Sequence, residues 1–358
     1  MRYFANAILA LSFFASAGHC AETTPPIEIK AVVVAMFEIG EDEGDKAGEF
    51  QLWKKNQNLS TRYALPHGHH DIFVNEDTGV MGIVTGMGIA RASAAIMALG
   101  LDPRFDLTHA YWLVAGIAGM DPADGTIGSA VWTDYVVDGD LAHQIDAREI
   151  PSDWKTGYFP LFTHSPYANA ASVNPEKAPN GEVYILNASL RDWAYNLTKD
   201  TALPNTPAMD KLRATYTGYP KALAAPTIMT GSHLSASTFW HGALLNDWAN
   251  DWVNYWTKSK GNFVTSGMED SATLQALTYL DNAKLVDKDR VLILRTASNF
   301  TMQPAGLTAA KNLELESSGE GYAALQSAVE AAYAVGSVVI EEITTNWDTV
   351  KTDIPVKQ

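Results

Sequence analysis

The segment 263–280, FVTSGMEDSATLQALTYL, places one carboxylate, Glu269, where a buried strand is predicted to turn directly into a helix. An ionised carboxylate accepts hydrogen bonds and donates none, so it can hold a ligand that carries hydroxyl groups. The dipole of a helix also favours an acid at the helix start. Residue type and position therefore leave a ligand role and a helix-end role open.

Two glycine-rich turns also follow predicted strands. TGMG contains Thr85 and Gly86, and AGIAG contains Gly116. Backbone N–H groups at such turns can hold an anion or a sugar. Glycine more often serves the backbone geometry of the turn itself, so each turn taken alone favours that simpler interpretation.

The histidines give weaker indications. The cluster HGHHD, residues 67–71, has His67 and His69 one residue apart, and no second His or Cys cluster follows at a metal-ligand spacing. The pattern predicts a polar loop, and the sequence indicates neither a metal nor a cofactor. We expect His233 and His241 to be structural histidines with hydrogen-bond partners.

Two further patterns point away from chemistry. Ser235 and Ser237 lack the G-x-S-x-G context of a hydrolase nucleophile, so a serine enzyme has little support. One predicted helix carries a stripe of tryptophans spaced by multiples of four residues, which is typical of a helix face packed in the core: Trp240, Trp248, Trp252 and Trp256.

Strand-like and helix-like segments alternate along the chain, which predicts an α/β fold. The predicted strands are IKAVVVAMF, VMGIVTGMG, HAYWLVAGIAG, IGSAVWTDYVV, APTIMTG, GNFVTSG and DRVLILRTAS. The predicted helices are IARASAAIMALGL, GEVYILNASLRDWAYNLTKD, FWHGALLNDWANDWVNYWT, DSATLQALTYLD and the segment 321–343. The Pro- and Asn-rich stretch 151–179 is interpreted as a surface excursion and not as a domain boundary.

The polar candidates follow these strands. In open α/β sheets, ligands bind outside the carboxyl ends of the strands. Five polar or glycine-rich positions fall at such ends: Glu38, 85–88, 116–119, Glu269 and Asn299. This coincidence predicts a ligand site at one edge of the sheet.

Composition limits the classes of function. With 358 residues, of which 47% are hydrophobic and 18% charged, the chain can bury a large core. A net charge of −16 opposes attraction to nucleic acid or anionic lipid. Outside the N-terminus no apolar run is long enough to span a bilayer, so we expect no stable membrane insertion.

The N-terminus predicts export. Residues 1–21 combine Arg2, an apolar run ANAILALSFFA and small residues, which is typical of a cleaved signal peptide. His19 precedes Cys20 where a lipoprotein signal has a small residue, so simple cleavage is favoured. The mature protein is then periplasmic or secreted.

The order of the motifs resembles the purine nucleoside permease (NUP) family, which is similar to a branch of the nucleoside phosphorylase and nucleosidase superfamily. The motifs are AMFE, TGMGIARASAA, VAGIAGMDPADGTIGSAVWTDYVV, GSHLSASTFWHG, TSGMEDSATLQAL and RTASNFTMQP. The resemblance covers residues 29–346 as a single domain. It implies a three-layer fold with a mixed central sheet flanked by helices, and a homo-oligomer, because superfamily sites often use residues of a neighbouring subunit.

The resemblance also implies how a nucleoside is held. Met268 lines the face of the ribose, and Glu269 accepts hydrogen bonds from its hydroxyls; the negative charge favours the positive charge that develops as the glycosidic bond breaks. Phe239 matches the aromatic residue that packs on the base. Asn299 stands where many relatives have an aspartate as general acid to purine N7, and an amide can only hydrogen-bond there.

The loop after the first strand bears on the nucleophile. The segment MFEIGEDEGD carries Glu38 and four further acids, which repel a phosphate dianion, whereas one well-placed carboxylate can accept a proton from attacking water. Arg91 and Arg62 remain as alternative anion ligands. Glu38 matches, to within one position, an acid of superfamily members that use water, so we predict that Glu38 is the base.

Three functions remain open at this point. The first is hydrolysis of the N-glycosidic bond of purine nucleosides, in uptake or salvage. Phosphate-dependent cleavage is the variant of this function in which phosphate and not water is the nucleophile. The second is nucleoside binding without catalysis in a transport system. A scaffold role for the same fold is the third.

Overall fold

The computed structural model describes residues 25–178, 180–317 and 321–356. The predicted signal peptide, with Cys20, lies outside these residues. Within them, every helix is too short or too polar to cross a bilayer.

Fourteen strands and nine α-helices make up the described chain. The strands are β1 Ile27–Glu28, β2 Ala31–Ala35, β3 Thr61–Tyr63, β4 Ile72–Asn75, β5 Val80–Val84, β6 Phe105–Asp106, β7 Tyr111–Met120, β8 Ala130–Asp138, β9 Ala142–Gln144, β10 Tyr158–Pro160, β11 Val183–Ile185, β12 Ile228–Ser235, β13 Phe263–Gly267 and β14 Val291–Phe300. The helices are α1 Gln51–Asn56, α2 Ile89–Gly100, α3 Ala188–Thr198, α4 Pro207–Arg213, α5 Ala243–Thr257, α6 Asp270–Asn282, α7 Ala309–Ser317, α8 Leu325–Thr345 and α9 Trp347–Val350.

Ten of the strands form one mixed sheet in the order β11-β8-β12-β13-β7-β2-β5-β4-β3, with β14 paired to both β7 and β8. Strand β14 runs parallel to β7 and antiparallel to β8. Five strands, β7, β13, β12, β8 and β14, therefore close a ring at one end of the sheet, while β2, β5, β4 and β3 extend it as an open sheet.

The two faces of the sheet are buried against different helices. Val32 and Val34 of β2 pack in one core cluster with residues of α2 and α6. Ala31, Val33 and Ala35 pack in a second cluster with residues of α1, α3 and α8. Because successive side chains of a strand point to opposite faces, the apolar run AVVVA needs a helical layer on each side. The predicted three-layer α/β arrangement is confirmed.

Two predictions about elements have definite outcomes. Three tryptophans of the stripe, Trp248, Trp252 and Trp256, are buried on α5 as predicted, whereas Trp240 lies before the start of this helix and is only partly buried. The single helix predicted over 181–200 is wrong in its first third. Residues Val183–Ile185 form β11, which pairs antiparallel with β8. The helix then starts at Asn187, whose side chain accepts hydrogen bonds from the N–H groups of Ser189 and Leu190.

Candidate functional site

A cavity of about 620 Å³ opens at the carboxyl ends of the strands. Its walls come from the segments after β2, β5 and β12, from the ends of β7 and β13, from β14, and from α7 and the start of α8. Four of the predicted site residues line it: Phe239, Met268, Glu269 and Asn299. Six strands or the segments that follow them thus converge on one space large enough for a nucleoside-sized ligand.

Glu269 faces this cavity and not the helix that follows it. The residue is the N-cap of α6, yet its side chain makes no capping hydrogen bond. Its Oε1 accepts from the Gly88 N–H at 3.1 Å, and its Oε2 accepts from the Met268 N–H at 3.2 Å. Arg295 Nη2 donates to Oε2 at 3.1 Å. Of the roughly four acceptor positions of a carboxylate, three are occupied, and Oε1 keeps one for a ligand.

Arg295 lies behind Glu269, fully buried on β14. Its Nη1 donates to the Ile117 carbonyl at 2.9 Å, and Nε and Nη2 donate to the two oxygens of Asp270 at 3.2 and 2.5 Å. Nε2 of the buried His233 lies 3.0 Å from Asp270 Oδ2. Burial alone would raise the pKa of Asp270, but Arg295 and His233 outweigh it and hold that pKa well below its usual range.

The acid that reaches the cavity after β2 is Glu49, not Glu38. The carboxylate of Glu38 turns back onto the chain and accepts from four N–H groups: Ile39 at 2.8 Å, Phe50 at 2.9 Å, Gln51 at 2.6 Å and Gly48. Phe50 and Gln51 begin α1, so Glu38 satisfies N–H groups that a helix start leaves free. Glu38 is not among the residues that line the cavity. The prediction that Glu38 reaches the sugar face does not fit this placement.

Glu49 is 4% exposed and lines the cavity. Its Oε2 accepts from the Met36 N–H at 2.8 Å, and its Oε1 accepts from the Ile117 N–H at 2.7 Å. Burial, together with the nearby charge of Glu269, raises the pKa of Glu49 to about 8 despite Arg295. A carboxyl that titrates near neutral pH inside a cavity is a candidate acid or base.

Gly116 lies directly beneath this group. A Cβ atom there would first meet Met36 Cε, and it would lie 2.6 Å from Glu49 Oε1 and 2.9 Å from Arg295 Nη1. Gly116 is buried and is not among the lining residues. Its place in the site is therefore to leave room for Met36 and for two charged side chains and not to contact a ligand itself.

Thr85 and Gly86 lie behind the cavity. The Thr85 hydroxyl donates to the Gly86 carbonyl at 3.1 Å, and its N–H donates to the Ala35 carbonyl at 2.9 Å. Neither residue lines the cavity. The turn contributes through its next two residues, because Met87 lines the cavity and the N–H of Gly88 holds Glu269.

Asn299 forms part of the cavity wall, as does Phe239. A shift of register between Ala297 and Asn299 places it at a β-bulge of β14, a feature that redirects side chains. The Ser298 hydroxyl donates to Asn299 Oδ1 at 2.9 Å, and Asn299 Nδ2 donates to the Phe300 carbonyl at 3.2 Å. One N–H of the amide stays available to a ligand. Phe239 is 55% exposed, with room for a ring to pack on it.

A third acid, Glu316 on α7, lines the same cavity. Asn312 Nδ2 donates to Glu316 Oε1 at 2.8 Å and lies 3.1 Å from Nε2 of His241. Burial raises the pKa of Glu316 to about 7, and burial lowers the pKa of His241 to about 4. A neutral His241 with Nε2 as acceptor satisfies this contact, so His241 ties α7 to the segment that carries Phe239.

The cluster 67–71 lies away from the cavity, in a second, polar cleft. His70 Nε2 lies 3.0 Å from Asp42 Oδ1, and Arg62 pairs with Asp71 at 2.5 Å. Within the described ranges, His, Cys, Asp and Glu side chains form no group of three suited to a metal ion. His69 instead packs at Gly86, where a Cβ atom would meet its ring at 2.8 Å.

The sequence analysis does not identify two central residues of the site, Arg295 and Glu49. Arg295 stands inside the apolar strand VLILRTAS, and a charge in a run that is otherwise buried is a signal that a buried partner exists. Glu49 carries no such signal, because GEF before a short helix looks like an ordinary helix start. Its position depends on the backbone of Met36 and Ile117, which only the folded structure brings together.

The fold is shared with solved nucleosidases. A 5′-methylthioadenosine/S-adenosylhomocysteine nucleosidase from Neisseria meningitidis aligns over 88% of this chain and 99% of its own with a TM-score of 0.50 and 14% identity. The enzyme of that name from Colwellia psychrerythraea aligns over 89% and 98% with a TM-score of 0.50 and 15% identity. The chain therefore has the nucleoside phosphorylase-like fold of the nucleosidases.

The family is narrower than the fold. A purine nucleoside permease of Candida albicans is 32% identical over 323 residues, 89% of this chain and 76% of its own. A probable purine nucleoside permease of Schizosaccharomyces pombe is 32% identical over 81% of this chain and 83% of its own. The profile of the purine nucleoside permease (NUP) family matches residues 28–355. The chain belongs to this family.

Proposed function

We propose that this protein binds purine nucleosides in the cavity and hydrolyses their N-glycosidic bond with water as the nucleophile. The observation that carries the proposal is the pairing of two buried acids in one cavity, Glu269 and Glu49, with Arg295 between them. One acid suits the sugar hydroxyls, and the other can take a proton.

Glu269 binds the ribose in this proposal. Its free Oε1 position accepts a hydroxyl hydrogen bond, and its charge stabilises the positive charge that develops on the sugar ring. Met268 lines the same wall. The contact with Arg295 fixes the carboxylate before a ligand arrives, so little ordering is needed on binding.

Glu49 is the general base in this proposal, the role that the sequence analysis predicts for Glu38. The attacking water forms a bond to the anomeric carbon, the carbon–nitrogen bond breaks, and the water proton passes to Glu49. The electron pair leaves with the base, where the free N–H of Asn299 donates to N7. The departing base takes its proton from solvent, because an amide has none to give.

Phosphate fits the cavity less well than water. Two cations line its described part, Arg295 and Lys46. The guanidinium of Arg295 is engaged by Glu269, Asp270 and the Ile117 carbonyl. Arg62 pairs with Asp71 outside the cavity, and Arg91 is exposed and donates to the Met87 carbonyl. The ionised carboxylate of Glu269 in the same space repels a dianion, and the charges of Glu49 and Glu316 add to this repulsion as pH rises through about 7 to 8.

A second candidate is nucleoside binding without cleavage, as part of transport. Asn299 favours it, since the leaving base gains a hydrogen bond but no proton. The relatives from Candida albicans and Schizosaccharomyces pombe are named permeases. For either candidate we propose an exported protein, on the sequence of residues 1–21.

The test is incubation of the purified protein with inosine, adenosine, guanosine and uridine, with and without phosphate, while free base and free ribose are measured. Equilibrium binding of the same ligands is measured in parallel. Hydrolysis predicts base and ribose whether or not phosphate is present. Binding without any product over hours supports the transport candidate, and no binding at all contradicts both.

A further inference from the structure

Five buried or nearly buried side chains form a chain of contacts behind the cavity wall. Thr265 Oγ1 lies 2.9 Å from His233 Nδ1, and His233 Nε2 lies 3.0 Å from Asp270 Oδ2. Asp270 accepts two hydrogen bonds from Arg295, and Arg295 donates one to Glu269. Thr265 lies on β13, His233 on β12, Asp270 on α6 and Arg295 on β14. The contacts therefore join four elements to Glu269, the proposed ribose carboxylate.

The geometry at Arg295 is unequal. Asp270 engages Nε and Nη2 together, which is the bidentate arrangement that orients a guanidinium plane. Glu269 receives a single, longer hydrogen bond from Nη2, at 3.1 Å against 2.5 Å for Asp270. Asp270 therefore fixes the direction of the guanidinium. Glu269 accepts only the remaining N–H of Nη2.

His233 in turn fixes Asp270. It is 0% exposed, as is Asp270. His233 Nε2 approaches Asp270 Oδ2 to 3.0 Å without an aligned hydrogen bond, and His233 Nδ1 lies 2.9 Å from the Thr265 hydroxyl, so the ring is held between these two groups. Thr265, His233 and Asp270 do not line the cavity. They can therefore influence a ligand only through Arg295.

We propose that Asp270, held by His233, is a positioning residue: it orients Arg295 and takes up most of its charge, so that Glu269 keeps its own charge for the ligand and Glu49 is not drawn into an ion pair. This rests on the proposed function for its ligand, but its electrostatic part concerns the free protein.

The consequence for Glu49 has a definite sign. The charged groups that face Glu49 are Arg295 and Glu269, with Asp270 behind Arg295; Lys46 and Glu316 line the same cavity. Removing the charge of Asp270 leaves Arg295 with more of its positive charge uncompensated. A positive neighbour favours the ionised carboxylate, so the pKa of Glu49 falls.

The experiment uses Asp270→Asn, with Asp121→Asn as the matched control. Asp121 is also a buried acid with amide partners, Asn246 and Asn250, but it has no contact with Arg295. The infrared band of the protonated carboxylic acid is followed with pH in the free protein and assigned to Glu49 by its loss in Glu49→Gln. Inosine binding is measured in the same samples.

We expect the Glu49 band to titrate about one pH unit or more lower in Asp270→Asn than in the native chain, and to be unchanged in Asp121→Asn. We also expect Asp270→Asn to bind inosine at least tenfold more weakly. A Glu49 titration that is the same in Asp270→Asn and the native chain overturns the proposal.

A second variant covers the case in which Asp270→Asn does not fold. His233→Gln keeps an N–H donor within reach of Asp270 but loses the ring, and we expect a smaller shift in the same direction. No shift in a folded His233→Gln then overturns the proposal. If the native chain binds no nucleoside, the proposed function fails, while the titration still decides the electrostatic role of Asp270.

Discussion

Glu49 and Arg295 meet over Gly116, where a Cβ atom would lie 2.6 Å from the carboxyl oxygen Oε1 of one and 2.9 Å from the guanidinium nitrogen Nη1 of the other. Both groups are buried, and each also contacts Ile117, one through its N–H and the other through its carbonyl. A single glycine on β7 thus permits a buried acid and a buried cation to share the floor of the cavity.

Gly116→Ala is expected to weaken inosine binding by roughly tenfold or more, because overpacking at this contact costs about 1–3 kcal/mol and must displace Met36, Glu49 or Arg295, which all line the cavity. Gly336→Ala on α8 is the matched control, since its Cβ would meet the Trp53 ring at 2.8 Å, away from the cavity. The control should lower the melting temperature and leave affinity unchanged. Native affinity in Gly116→Ala would show that the close approach has no functional role.

Glu269→Gln should weaken nucleoside binding by roughly tenfold to a hundredfold while the fold stays intact, because a charged acceptor becomes a neutral amide. Titration calorimetry with inosine measures it. Glu314→Gln, an exposed change on α7, provides the control and should bind like the native chain. If Glu269→Gln binds equally well, Glu269 is only an acid at a helix start.

Glutamine substitutions at Glu38 and Glu49 should differ in their effect on turnover. Glu38→Gln loses a charged acceptor of four backbone N–H groups, so the free energy of unfolding should fall by about 2 kcal/mol while the folded protein keeps its rate. Glu49→Gln leaves one acceptor oxygen for the two N–H groups of Met36 and Ile117, so its free energy of unfolding should fall by about 1–3 kcal/mol, and the folded variant should keep inosine affinity but lose turnover. Thermal melts and product assays on both variants measure this. Loss of turnover in Glu38→Gln, with turnover kept in Glu49→Gln, would restore Glu38 as the base.

Stability and turnover should respond to pH in opposite directions. The native pKa of Glu49 is raised to about 8, whereas an unfolded glutamate titrates near about 4.3. The native state therefore binds a proton that the unfolded state releases, and the stability from this group is complete below the unfolded pKa and is lost as pH rises through 8. Turnover needs the ionised base, so it should rise over that range and level off above it.

Melting curves from pH 5 to 9 should accordingly slope less in Glu49→Gln than in the native chain, because the glutamine does not titrate. The native rate of inosine cleavage, measured over the same range, should increase towards pH 8. A rate that is flat or falls between pH 6 and 8 would contradict the role of Glu49 as base.

The base end of the cavity predicts purine selectivity. Phe239 offers a ring for packing, and the available N–H of Asn299 is a donor for purine N7. Asn299→Ala should lower turnover of inosine more than Asn299→Asp, because a protonated aspartate still donates. Steady-state rates on inosine and uridine test both statements. Equal rates on the two nucleosides would contradict the assignment of this end of the cavity.

The sequence predicts the sheet better than the site. Apolar runs such as AVVVA and VLIL identify buried strands because burial on both faces leaves no polar positions. The apolar spacing of Val183–Ile185 also fits a helical face, and only the pairing with β8 identifies this segment as a strand. Met268, Glu269 and Asn299 are placed correctly at the cavity because each directly follows, or lies near the end of, such a strand.

Glu49 shows why the rest could not be predicted. Glu38 and Glu49 are eleven positions apart on one acidic segment, and the strand pattern ends before both. Which acid turns inward depends on the four N–H groups that Glu38 accepts and on the two N–H groups that hold Glu49. These are backbone contacts of an irregular loop, and residue type and periodicity carry no information about them.

The most direct measurement is the product of inosine turnover by the native chain and by Glu49→Gln, at pH 8, with and without phosphate. The account predicts that the native chain releases hypoxanthine and free ribose at a rate that phosphate does not change, and that Glu49→Gln binds inosine without releasing either. Ribose 1-phosphate formed only when phosphate is present, or inosine bound by the native chain and recovered intact, would contradict hydrolysis.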